Sequence, residues 1–129
     1  CQRVDVAEGH VVEVAFELSR DVGLSDVEAA LDAFVTPPEA AGLPSAPHKP
    51  MMRVDGPVDR DLHLWADGLS FPTGVDPAKD LQAGMATVVG DLHMDGPRHV
   101  RVRSLSHNTV RGAAGGVVLL AELASTWWS

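Results

Sequence analysis

The chain of 129 residues is long enough for one domain, and 45% of its residues are hydrophobic, which is ordinary for a soluble core. With 18 acidic against 10 basic residues and a formal charge of -8, it lacks the clustered Lys and Arg that nucleic acid or an anionic membrane would require. This balance favours a soluble, cytoplasmic protein with no nucleic-acid or membrane partner.

Cysteine and histidine usage narrows the kinds of site that the chain can build. The single cysteine, Cys1, excludes an internal disulfide and a cysteine-based zinc site. Four histidines share no ligand spacing, so we expect no metal site at His48, His63, His93 and His99. Because the chain begins at Cys1 rather than Met and has no signal pattern, we expect it to be part of a longer protein.

The N-terminal segment is predicted to form two strands. The stretches QRVDV and HVVEVAFEL are separated by AEG, which is typical of a tight turn. Apolar residues alternate with other residues along the second stretch, so we expect one buried face, formed by Val12, Val14, Phe16 and Leu18.

The next element is predicted to be a helix in the stretch LSDVEAALDAF. Ser25 as N-cap and Glu28 three residues later would form a capping box. Helical spacing of the apolar residues supports it, at Val27, Ala30, Leu31 and Phe34. Five prolines between residues 35 and 50 then predict a loop.

The second half of the chain predicts a hairpin followed by a helix. Between residues 51 and 84 we expect at most a strand over Leu62–Ala66 and a short helix that opens at Pro77. The stretches GMATVVGDLHM and RHVRVRSLSHN flank the turn signal DGP, and a helix over 108–124 closes the chain. The element order predicts an α+β domain in which helices cover an antiparallel or mixed sheet.

The start of the last helix is unusual because it contains three glycines. Gly112, Gly115 and Gly116 would together cost a helix about 3 kcal/mol relative to alanine. Their spacing places them on one helical face. Asn108 is the expected N-cap, and the glycines lie in the first turns that follow it. Either this face packs closely against the sheet, or a ligand approaches its bare backbone. Arg111 near the helix N-terminus would favour a bound anion.

Three stretches together resemble one protein family: CQRVDVAEGH, LPSAP and LSHNTVRGAAGGVVLLAELA. They resemble the C-terminal half of aspartate-semialdehyde dehydrogenases, most closely the archaeal and fungal branch. The resemblance implies a substrate-binding and dimerisation domain over residues 1–107. It also implies that the helix over 108–129 docks on an NADP-binding Rossmann domain absent from this chain.

The resemblance also implies roles for individual residues. Arg3 would bind the substrate carboxylate, since a guanidinium fork matches a carboxylate, and His10 would be the catalytic acid/base. Asn108 and Gly112 would lie against NADP. The nucleophilic cysteine of the family lies in the absent half, and Cys1 is not assigned to that role. His107, just before the helix, is predicted to be structural rather than a proton donor.

The implied function is NADP-dependent oxidation of aspartate semialdehyde with phosphate to aspartyl phosphate, in the biosynthesis of lysine, methionine and threonine. The implied assembly is a homodimer or homotetramer. Malonyl-CoA reductase of the same fold branch is one alternative, and a non-catalytic dimerisation module is another. Asp5 supports the last, because it stands where the family usually has proline and strand alternation would place it on the face of Arg3. The segment over residues 55–82 also differs from the family.

Overall fold

A computed structural model describes residues 5–129 and shows an α+β fold with a four-stranded mixed sheet. The strands have the spatial order β1-β4-β3-β2. β4 pairs antiparallel with β1 and β3, whereas β2 runs parallel to β3. Their bounds are β1 (His10–Glu17), β2 (Met51–Arg53), β3 (Thr87–Met94) and β4 (His99–Ser106). The predicted fold class and the hairpin around DGP are therefore confirmed.

The N-terminal part departs from the sequence prediction in two ways. Residues 2–4 of the first expected strand lie outside the described residues, while Asp5 and Val6 are not in a strand. All eight residues of β1 are exposed, including Val14 and Phe16, so the expected buried face is wrong. The alternation is real, but β1 is an edge strand and no described element buries its apolar side chains.

Helix α1 (Leu24–Ala33) forms where predicted but begins earlier. Gly23 is the N-cap instead of Ser25, and the Asp26 carboxylate accepts a hydrogen bond from the Gly23 N–H at 2.9 Å. No residue of α1 is buried. Ion pairs hold it to β2 instead: Arg53 lies 2.9 Å from Asp32, and this contact raises the pKa of Arg53 and lowers that of Asp32.

The segment over residues 51–84 contains the largest corrections. The expected strand at Leu62–Ala66 is wrong, because a one-turn helix α2 (Arg60–His63) forms there. The Asp59 carboxylate caps this turn by accepting from the N–H groups of the second and third helical residues, Asp61 and Leu62. The helix expected at Pro77 is only a turn. β2 has three residues, too few for alternation to reveal it.

The core lies against one face of the hairpin formed by β3 and β4. Val88 and Leu105 pair across the two strands and are fully buried. Ala66 and Ala86 complete the cluster, and the segments around it contribute Met52, Val54, Val58 and Phe71. The segment that contains α2 is therefore fixed to the sheet through this core.

The C-terminal helix forms as predicted, with an altered first turn. A π-helical turn over Val110–Ala114 precedes α3 (Gly115–Thr126). The Glu122 carboxylate fastens α3 to the LPSAP loop by accepting from the N–H and hydroxyl of buried Ser45, at 3.0 and 2.9 Å. Much of α3 remains exposed, and within residues 5–129 no helix is both long and apolar enough to cross a bilayer.

Candidate active site

The sequence EGH at the start of β1 and the sequence SHN at the end of β4 lie side by side. His10 opposes Ser106 in the β1–β4 ladder. Beyond this pair, the Asn108 Oδ1 accepts a hydrogen bond from the Gly9 N–H at 2.8 Å. Asn108 is therefore not the helix N-cap that the sequence predicted, because its side chain is used to hold the other segment. We call this contact between EGH and SHN the EGH–SHN junction.

Gly9 lets the chain turn tightly into β1. Its φ of +101° lies in the left-handed region that side chains disfavour. An added Cβ would also lie 3.3 Å from Arg60 Cγ and 3.4 Å from the Leu64 side chain. The guanidinium Nε of Arg60 donates to the carbonyl of Glu8. The turn before His10 is thus enclosed between α2 and the SHN segment.

His107 is a buried part of the junction, with 1% of its surface exposed. Its Nδ1 accepts from the Val110 N–H at 3.2 Å, so the neutral ring carries its proton on Nε2. That nitrogen lies 3.3 Å from the Glu8 carboxylate, without the alignment of a hydrogen bond. The Trp65 ring packs against the imidazole with centroids 4.5 Å apart. These contacts cap and pack the C-terminal helix, which is the structural role predicted for His107.

Burial lowers the pKa of His107, because it penalises the charged ring. The Glu8 carboxylate opposes this effect, and the positive charge of Arg60 adds to it. Protonation would also place a hydrogen on Nδ1, where the ring now accepts from Val110. The folded protein therefore favours neutral His107.

This preference predicts a pH-dependent stability. Because the pKa of His107 is lower in the folded chain, its contribution is complete above a pH of about 6.5 and is lost as pH falls toward the folded value. We expect His107→Gln to cost about 1–3 kcal/mol at neutral pH, since Val110 loses its acceptor, and less near pH ~5. Urea unfolding of the complete gene product at both pH values checks this. An equal difference at the two pH values would contradict the assignment.

The structure places the predicted site residues unequally. His10 is exposed at the first position of β1. Asn108 is exposed beside it, in the EGH–SHN junction. Arg3 lies outside the described residues, so its relation to His10 and to the exposed Asp5 stays a prediction.

Gly112 and Gly115 differ in how closely the described chain packs against them. At Gly115 an added Cβ would lie 2.6 Å from Met85 Sδ and 2.9 Å from the Val110 carbonyl, so this glycine is required by packing. At Gly112 the nearest atom would be the His107 carbonyl oxygen at 3.9 Å, and the residue is exposed. The described chain therefore has no steric need for glycine at Gly112.

Sequence reasoning did not single out Glu8 or Arg60. Glu8 was visible only as a letter of EGH, and nothing in the sequence connects Arg60 to a turn 52 positions earlier. The residues 5–129 contain no group of three His, Cys, Asp or Glu side chains arranged to hold a metal ion.

Comparison with known proteins finds relatives of this chain, although no family model matches it. Aspartate-semialdehyde dehydrogenase from Methanothermobacter thermautotrophicus is 37% identical over 125 residues, which cover 95% of this chain and 32% of that protein. Malonyl CoA reductase (NADP) from Metallosphaera sedula is 36% identical over 123 residues, covering 94% and 31%.

The fold gives a concordant match to a solved structure. The crystal structure of aspartate semialdehyde dehydrogenase with NADP from Candida albicans matches with a TM-score of 0.65 and 26% identity, covering 95% of this chain and 31% of that one. The chain thus spans about a third of the length of the curated relatives it matches. The chain belongs to the aspartate-semialdehyde dehydrogenase family and corresponds to one portion of the longer proteins that it matches.

Proposed function

We propose that the chain is the substrate-binding and dimerisation part of an NADP-dependent aspartate-semialdehyde dehydrogenase, with His10 as the acid/base. The main support for this proposal is the EGH–SHN junction. It joins the exposed His10 to the segment that contains Asn108 and the glycine-rich helix start. An acid/base must share its site with substrate and cofactor, and this junction brings the two candidate sets together. We further propose that the whole protein acts in the cytoplasm, in synthesis of lysine, methionine and threonine.

The residues at the helix start fit a nicotinamide cofactor. Gly112 offers exposed backbone that no described side chain fills, and Asn108 presents an amide whose Oδ1 is used by Gly9. The amide nitrogen of Asn108 can donate to a ligand. NADP, when bound, supplies the hydride acceptor for oxidation of the aldehyde. In this proposal Asn108 and Gly112 hold the cofactor, while His10 exchanges a proton with the substrate through its ring.

The exposed apolar side chains indicate which surfaces the rest of the assembly covers. On α3, Val117 is 66% and Leu120 is 62% exposed, and Trp128 just beyond it is 85% exposed. We assign residues 108–129 to docking on an N-terminal Rossmann domain and residues 1–107 to the substrate and dimerisation domain. Exposed apolar surface of this kind marks an interaction site. The assembly we propose is a homodimer or homotetramer.

Reduction of malonyl-CoA is the second candidate function. It is supported by the relative from Metallosphaera sedula, whose identity to this chain is nearly that of the archaeal dehydrogenase. A dimerisation module without catalysis is the third, supported by Asp5 near the predicted carboxylate-binding Arg3.

Activity of the complete gene product separates these functions. We expect NADP reduction with aspartate semialdehyde and phosphate, and Arg3→Ala should raise KM at least about tenfold while kcat changes less, because a charge-assisted contact is lost. Arg20→Ala is the matched control, since Arg20 is exposed beyond the far end of β1. Oxidation of NADPH with malonyl-CoA alone would favour the second function, and inactivity on both substrates would favour the third.

A further inference from the structure

We propose that Arg60 is a positioning residue for His10, acting through the backbone of Glu8 and Gly9. The inference rests on the proposed role of His10 as the acid/base. It assigns a function to the segment over residues 55–82, which the resemblance left without one. Arg60 does not touch the reacting atoms in this proposal. It fixes the peptide unit between Glu8 and Gly9, which leads into the strand that carries His10.

Arg60 is itself held in place by the structure of α2. The Asp59 carboxylate caps the helix, and the Asp59 N–H donates to His63 Nδ1 at 2.9 Å. The His63 ring packs against Phe71 with centroids 4.7 Å apart, and Phe71 packs on the buried core. These contacts connect the first residue of α2 to the core, so its side chain starts from a fixed point.

The Arg60 side chain contacts the turn before His10 by a hydrogen bond and by packing. Its Nε donates to the carbonyl of Glu8, and its stem passes beside Gly9, where an added Cβ would be 3.3 Å away. Its Nη1 lies 3.0 Å from Asp61 Oδ1, which orients the guanidinium plane. A guanidinium can make both contacts because its donors diverge in one rigid plane.

The SHN segment holds the same turn from the β4 side. Asn108 accepts from the Gly9 N–H, while Arg60 donates to the preceding carbonyl. The single peptide group between Glu8 and Gly9 is thus held at its N–H and at its carbonyl by two separate elements of the fold. Removal of one side frees the turn at the residue directly before His10. Misplacement of a catalytic group by about 1 Å can lower the rate about 100-fold. We therefore expect the restraint of this turn by Arg60 to affect the reaction rate.

The test compares Arg60→Met and Arg60→Lys in the complete gene product with Arg98→Met as control. Arg98 pairs with Glu17 at the far end of β1, and its side chain is 43% exposed against 36% for Arg60. We expect Arg60→Met to lower kcat at least about tenfold with KM changed by less than about twofold. Arg60→Lys should recover part of this loss, because an ammonium keeps one donor for the Glu8 carbonyl, and the control should leave both constants near wild type.

Hydrogen exchange supplies a readout that does not depend on turnover. In Arg60→Met the protection factor of the Gly9 amide against exchange should fall at least about tenfold, while the protection factors of the β3 amides should stay unchanged. Unchanged exchange at Gly9, or kinetics like those of Arg98→Met, would overturn the inference. If Arg60→Met does not fold, the same two readouts on Arg60→Lys decide. If the wild-type protein is inactive on both substrates, the proposed function is overturned instead. The hydrogen-exchange rate of the Gly9 amide would still show whether Arg60 restrains this turn.

Discussion

His10→Ala in the complete gene product is expected to lower kcat by roughly 100-fold or more, with only a small change in KM. General acid/base catalysis by a positioned side chain contributes about 10²–10⁴-fold, and His10 is the exposed histidine of the EGH–SHN junction, whereas His107 is buried. The effect should fall on kcat because a proton transfer is needed in the transition state rather than in substrate binding. Steady-state NADP reduction measures both constants.

The matched control for this experiment is His99→Ala. His99 is the first residue of β4, is exposed like His10, and pairs with Glu17 at the opposite end of the β1–β4 ladder. Its replacement should leave kcat near wild type. Equal losses in the two variants would indicate a general weakening of β1, and full activity in His10→Ala would remove His10 from the mechanism.

The second large effect is expected from a pair of glycine substitutions in the C-terminal helix. Gly115→Ala should destabilise the protein by about 1–3 kcal/mol through overpacking, since its Cβ would lie 2.6 Å from Met85 Sδ and 2.9 Å from the Val110 carbonyl. The helix propensity gained by alanine, about 1 kcal/mol, offsets only part of this cost. Urea unfolding of the complete gene product measures the change.

Gly112→Ala should behave in the opposite way. The nearest atom to its Cβ is 3.9 Å away, so the free energy of unfolding should stay equal or rise, while the dissociation constant for NADP should increase about tenfold or more. Equilibrium titration with NADP in both variants separates the two effects. Unchanged NADP affinity in Gly112→Ala would show that the cofactor does not use this backbone.

The elements with strong local patterns could be predicted from the sequence. The hairpin around DGP and helix α1 follow from alternation, helical spacing and turn residues that act over a few positions. β2 could not be found, because its three residues form a strand only by pairing with β3. The exposure of the apolar face of β1 could not be predicted for a related reason. Alternation shows that a face is apolar but not which neighbour covers it.

The connections within the candidate site could not be predicted from the sequence. The resemblance implied roles for His10 and Asn108 that stay predictions, and the structure adds that the two residues meet through Gly9. The capping role of Asn108 was predicted from its place before the helix, yet a tertiary hydrogen bond takes its side chain and His107 accepts from the helix instead. Arg60 lay beyond reach for the same physical reason, since its contact with Glu8 joins distant parts of the chain.

The EGH–SHN junction also bears on how the protein reaches its native state. Gly9 and Asn108 are 99 positions apart, so their hydrogen bond closes a loop that includes most of the described chain but not the C-terminal helix. Closing such a loop carries an entropy cost, and contacts this distant in sequence slow folding. The hairpin of β3 and β4 needs only a local turn, whereas β1 must dock on it from the far end of the chain. If His10 acts as proposed, the site is complete only after this distant contact has formed, which would tie activity to completed folding.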